Sequence, residues 1–109
     1  MKEHNYKLTV KWTGNKGAGT SNYRAFERSY SIIIDNKIEI SGSSDPAFLG
    51  DKTKHNPEEL LVASLSSCHM LWYLHLCAEA KVTVVDYVDE ATGIMTETSN
   101  GAGYFTEVT

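Results

Sequence analysis

Residues 55–80 read HNPEELLVASLSSCHMLWYLHLCAEA, and the reading of this stretch decides the fold. Asn56 has a short side chain able to accept a hydrogen bond from a free N–H of a helix end. Pro57 follows at the first helical position, where its missing N–H costs nothing. Glu58 and Glu59 then set negative charge against the positive end of the helix dipole. No Gly or Pro interrupts the residues that follow, so one long helix is predicted. At 100° per residue, Leu61, Leu65, Cys68, Leu71, Trp72 and Leu76 share a broad face, and Ala63, Met70, Leu74 and Cys77 cover much of the opposite one. Only a narrow strip of Glu59, Ser66, His69 and Tyr73 is polar. A helix apolar nearly all round is a buried helix. At about 1.5 Å per residue it is roughly 35 Å long, close to the diameter of a compact chain of this size. One chain can hardly wrap it, so a second subunit is expected to complete the wrapping. A membrane span is not expected: three serines, two histidines and Glu79 interrupt the segment, and no pure apolar run approaches about 20 residues.

A chain of 109 residues is expected to form a single domain, 1–109. Its net charge of −4 argues against a nucleic-acid or anionic-membrane surface. The start, MKEHNYKLTVKW, has no apolar core of signal-peptide type. Two cysteines without a secretory context indicate free thiols in a reducing cytoplasm.

Outward from the helix, the N-terminal side reads as a meander of antiparallel strands. Residues 6–13 (YKLTVKWT) alternate as a strand does, and 14–21 (GNKGAGTS) are a glycine-rich turn. Residues 22–34 read as one long strand, with Arg24, Phe26, Arg28, Tyr30, Ile32 and Ile34 on one face. A hairpin at 35–37 returns the chain through 38–40. The polar connection 41–54 is of a length that is often functional. Beyond the helix, 81–88 reads as a strand, 89–93 as a turn and 94–97 as its returning partner. A further turn at 99–103 leads to a last strand over 104–109.

Cys68 is the first candidate for chemistry. It is either a buried core thiol or, in the small polar patch SLSSCH, a reactive one whose pKa a nearby cation must lower. The two arginines, Arg24 and Arg28, are the candidate cations, and Glu58 or Glu59 a candidate carboxylate to hold one. Cys77 lies half a turn out of phase with Cys68 and about 13 Å along the axis. No disulfide can join them without breaking the helix, and Cys77 reads as core. Neighbouring helical residues such as Cys68 and His69 splay apart, and no HxxxH, CxxC or similar pair exists, so no metal site is expected.

NPEELLVASLSSCHM, preceded by SSDPAFLGDK and followed by WYLHLCAEAKVTV, resembles the OsmC/Ohr family (osmotically inducible protein C and organic hydroperoxide resistance). The Asn-Pro-Glu start and the Cys ten residues after the Glu carry the likeness. The resemblance implies an OsmC-like α+β fold: an N-terminal antiparallel β-meander, a long central helix and further strands, in an intertwined homodimer. It implies a thiol-dependent peroxidase that reduces organic and fatty-acid hydroperoxides, with no cofactor. Cys68 matches the peroxidatic cysteine, whose thiolate becomes a sulfenic acid. Arg24, with Arg28 as the alternative, matches the arginine that lowers the thiol's pKa, and Glu58 the glutamate that holds it. Phe48, Leu65 and Trp72 are the expected contacts of the substrate's hydrocarbon part. The family continues into a helix with a resolving cysteine that this chain does not carry, so an external thiol reductant is expected. Glu58 and Cys68 are about 15 Å apart along the helix, so each site is expected to take Cys68 from one subunit and Glu58, with the arginine, from the other.

Overall fold

Pro57–Glu79 forms a single 23-residue helix, α1, with Glu58 and Glu59 in its first turn. This computed structural model describes residues 2–98 and 103–109. The chain divides into two units, Met1–Pro57 and Glu58–Thr109.

The first unit is built on a three-stranded antiparallel sheet in the order β1 (Thr9–Trp12), β2 (Tyr30–Ile33), β3 (Ile40–Gly42). Val10 pairs with Ile32 and Trp12 with Tyr30; Ile32 in turn pairs with Ile40 and Tyr30 with Gly42. Gly42 is required there, because a Cβ would collide with the Tyr30 ring. The meander agrees with the sequence reading, but β2 is much shorter than the strand expected over 22–34. The cause is Arg28. Its guanidinium donates to the carbonyl oxygens of Phe26 (2.8 Å) and Tyr23 (2.7 Å) and stacks over both of those rings. The backbone folds around this cation instead of extending. The Asn22 side chain also accepts from the Arg24 N–H at 2.9 Å, which sets a local turn that competes with sheet pairing.

The connection 41–54 is ordered by its own hydrogen bonds. Asp45 caps a short 3-10 turn, Pro46–Phe48, by accepting from the Ala47 N–H, and Leu49 leaves that turn in the left-handed region at φ 62°. Asp51 accepts from both the N–H (2.9 Å) and the hydroxyl (2.6 Å) of Thr53. Those bonds, chiefly the one from the Thr53 hydroxyl, hold its carboxyl below the usual carboxylate value. Ser43 donates its N–H to the His55 carbonyl at 2.9 Å.

In the second unit α1 ends in a Schellman motif. The Lys81 N–H bonds the Ala78 carbonyl (3.1 Å) and the Val82 N–H bonds the Cys77 carbonyl (2.8 Å), while Lys81 takes φ 60°. A side chain in that region is strained and Gly is not. Lys81→Gly is therefore expected to raise stability by about 0.5–1 kcal/mol, read as a higher midpoint in urea.

Residues 81–88, expected as a strand, pair with no other segment among the described residues. The chain instead runs back along α1. Tyr87 meets the Tyr73 ring at 5.8 Å, Asp89 accepts from Ser66 Oγ at 2.5 Å, and Gly93 approaches Val62 too closely for a Cβ. A hairpin of β4 (Gly93–Glu97) and β5 (Gly103–Val108) follows, with a bulge at Ile94/Met95. Reciprocal bonds between Thr92 and Thr109, at 2.7 and 2.8 Å, extend its open end. The turn expected at 99–103 falls at 99–102 outside the described residues.

The strip of α1 expected to be wet is thus the one the returning chain lies along. The apolar faces remain open: Leu61, Leu65, Leu71, Trp72 and Leu76 are all exposed. No residue of α1 is buried within the chain, and no hydrophobic side chain is buried among the described residues.

Candidate thiol site

The position of Cys68 follows from the length of α1: three helical turns beyond the acidic N-terminus, on the broad apolar face. Its thiol is free and exposed. It opens on a shallow cavity of about 320 Å³ lined by Cys68, Leu71, Trp72 and His75. The spacings i, i+3, i+4 and i+7 place these four on one side of the helix. The neighbouring serines do not address the thiol. Ser64 Oγ donates to the Leu61 carbonyl (2.7 Å), Ser67 Oγ to the Ser64 carbonyl (3.2 Å) and Ser66 Oγ to Asp89. Hydroxyls returned to the helix backbone satisfy themselves locally, so the small patch gives Cys68 space and no hydrogen bond.

Glu58, in the first turn, is half-buried, and its Oε2 is buried without a hydrogen-bond partner among the described residues. A buried carboxylate oxygen left unpaired costs free energy, and a guanidinium would satisfy it. In the first unit, Arg24 and Arg28 line a cleft of about 350 Å³ together with Phe26, Glu27, Ser43 and Asp51. Arg28 is committed to two carbonyls and two rings. Arg24 is exposed, and its fixed contact is made by its backbone N–H.

A family model of OsmC-like proteins matches residues 50–109. An OsmC-like protein of unknown function from Vibrio cholerae has a similar solved structure: 31% sequence identity and a TM-score of 0.81, over 99% of this chain and 71% of that one. The chain belongs to the OsmC-like family. No curated protein matches it.

Seen as an OsmC-like chain, its α+β architecture agrees with the sequence reading: antiparallel N-terminal strands, one long helix, further strands. By length and composition α1 is apolar enough to cross a membrane; in this fold it is the central helix. Of the three expected hydrocarbon contacts, Trp72 shares the cavity of Cys68. Leu65 lines a different one, with Ser66, His69, Tyr87 and Asp89. Phe48 is half-buried in the 3-10 turn of the first unit. Cys77 opens onto a third cavity, with Leu74, Lys81 and Val82, apart from Cys68. A hydrogen bond with Cys77, then the charge of its thiolate, raises the pKa of the Tyr73 hydroxyl. His75 shares the cavity of Cys68 through its i+7 spacing, which returns a side chain to the same face after two turns.

Proposed function

We propose that this OsmC-like protein is a cytoplasmic thiol-dependent peroxidase that reduces organic hydroperoxides in defence against oxidative stress, with Cys68 as the peroxidatic residue. One observation carries the reading. Within the family's Asn-Pro-Glu…Cys motif, Cys68 is an exposed free thiol walled by Leu71 and Trp72. An apolar wall beside a nucleophile favours a peroxide with a hydrocarbon body over hydrogen peroxide. The thiolate attacks the O–O bond, an alcohol leaves, and a sulfenic acid remains. Cys77, out of phase on the same rigid helix, cannot resolve that acid; an external thiol is the proposed reductant. The protein works as a homodimer: the open apolar faces of α1 and the unpaired Glu58 Oε2 are what a second copy would cover. Glu58 and the arginine then serve the Cys68 of the other subunit. The test is consumption of cumene hydroperoxide against hydrogen peroxide, with a dithiol as reductant. Turnover of the organic peroxide well above that of hydrogen peroxide supports the reading, and absence of both reactions overturns it.

Arg24 is the arginine assigned to the thiolate, because Arg28 already spends its guanidinium on the loop. An opposite charge within a few ångströms lowers a thiol's pKa by about 1–3 units. Arg24→Met is accordingly expected to slow alkylation of Cys68 by iodoacetamide at neutral pH by about tenfold or more. Arg28→Met mainly loosens residues 22–28. If neither variant changes Cys68 reactivity, the assignment fails.

A second reading, a non-catalytic dimeric module binding an apolar ligand between subunits, draws on the apolar lining beside Cys68. Titration of the Cys68 thiol separates the two. A reactive thiolate near neutral pH marks the enzyme, and an inert thiol marks the module.

A further inference from the structure

The cavity that Leu65 lines, of about 440 Å³, is separate from that of Cys68 and belongs wholly to the second unit. Its size falls in the range of about 300–1,000 Å³ in which small molecules bind. Three elements build it: Leu65, Ser66 and His69 from α1, Tyr87 and Asp89 from the returning chain, and Val108 from β5. Its residues on α1 centre roughly a third of the way around the helix from those of the Cys68 cavity. The Ser66 hydroxyl aims the Asp89 carboxylate by donating to its Oδ2 at 2.5 Å. Tyr87 is set by its ring contact with Tyr73 at 5.8 Å and by its N–H, which donates to Asp86 Oδ1 at 2.8 Å. Among the described residues, Asp89 Oδ1, the Tyr87 hydroxyl and the His69 imidazole make no hydrogen bond. Polar groups with spare capacity thus converge over an apolar floor of Leu65 and Val108, which is the composition of a ligand site.

We propose that this cavity is a binding site for a small organic ammonium, a charged primary amine on a short hydrocarbon body. The sign of the charge follows from the lining. Asp89 supplies a carboxylate, and no Lys or Arg lines the cavity. Thr109, on the rim, donates its hydroxyl to Glu107 Oε1 at 2.9 Å, which brings a second carboxylate close by. An ammonium carries three N–H donors. Asp89 Oδ1 and the Tyr87 hydroxyl oxygen are free to accept from it, as is the bare nitrogen of a neutral His69 imidazole. A charge-assisted bond to a carboxylate is roughly twice as strong as a neutral one, and the face of the Tyr87 ring attracts a cation as well. An anion would meet Asp89 with no cation to offset it, and a plain hydrocarbon would bury these polar groups unpaired. The site is independent of the reaction at Cys68.

The test is isothermal titration calorimetry of the full chain with hexylammonium chloride, with hexanol and hexanoate as the neutral and anionic counterparts. It is run at about pH 8, where an ordinary imidazole is neutral and an alkylamine is charged. Hexylammonium is expected to bind about tenfold or more tighter than either counterpart. Asp89→Asn is expected to bring it down to the affinity of hexanol. Asparagine keeps an oxygen that can accept from Ser66, so the returning chain stays in place. Ala91 also lines the cavity, and Ala91→Leu, which fills it without changing charge, is expected to weaken all binding there. Amide NMR spectra locate the site: Ser66, His69, Tyr87 and Asp89 shift on addition of hexylammonium, and Leu71, Trp72 and His75 do not. Hexylammonium that binds no tighter than hexanol overturns the proposal. An affinity that survives either substitution, or shifts centred on Trp72, overturns it too.

Discussion

Cys68→Ser is expected to abolish hydroperoxide consumption, while Cys77→Ser retains the rate of the chemical step within about twofold. A serine hydroxyl in the place of Cys68 has neither the acidity nor the polarizability to attack an O–O bond. The other thiol cannot take over. It faces a separate cavity with Leu74 and Lys81, and nine residues of rigid helix, about 13 Å, keep it from the reacting oxygen. Cys77 is half-buried, so placing a serine hydroxyl there is expected to cost about 1 kcal/mol of stability. Coupled peroxide-consumption assays on both variants, with circular dichroism to confirm folding, decide the matter. Equal loss of activity in two folded variants would mean that Cys68 is not the distinctive thiol.

The second large effect concerns assembly. No hydrophobic side chain is buried among the described residues, so a second copy is expected to cover apolar surface. The chain exposes 9072 Å². Two independent folded pieces of half its mass would together expose only about 7,300 Å² by the scaling of surface with mass. The open face of α1, with Leu61, Leu65, Leu71, Trp72 and Leu76 each 42–62% exposed, accounts for much of the excess. Covering it gains about 1 kcal/mol per side chain. The protein is therefore expected to sediment as a dimer at micromolar concentration, with a melting temperature that rises with protein concentration. Leu76→Glu, which sets a charge in that face, is expected to give unfolded or aggregated protein. A folded monomer at micromolar concentration would refute this.

The helix was legible in the sequence because its signals are local and agree with one another. Asn56, Pro57 and two glutamates open it, and no breaker interrupts it before Lys81. The meander of the first unit was legible for the same reason, from the alternation in Val10, Ile32 and Ile40. Two segments misled. Residues 22–29 alternate like a strand, yet the Arg28 guanidinium captures the Tyr23 and Phe26 carbonyls, a side-chain-to-backbone competition that periodicity does not register. Residues 81–88 are β-branched like a strand, but strand propensity needs a neighbour to pair with, and none of the described residues supplies one there. The polar strip of α1 was read correctly: Glu59, His69 and Tyr73 are exposed, although the returning chain lies along it. Its polar groups serve as partners for Asp89 and Tyr87, which no spacing rule announces. Cys68 and Glu58 stood out by motif.

Trp72 gives that cavity an optical consequence. The chain has two tryptophans, and Trp12 donates its indole N–H to the Glu27 carbonyl in the first unit. Trp72 instead stands beside the thiol and the imidazole, both of which quench indole emission according to their charge. Each change of state at Cys68 therefore alters the light emitted one helical turn away, while Trp12 supplies a steady background. The protein carries its own fluorophore for following the fate of its sulfur in real time, without a dye or a coupled enzyme.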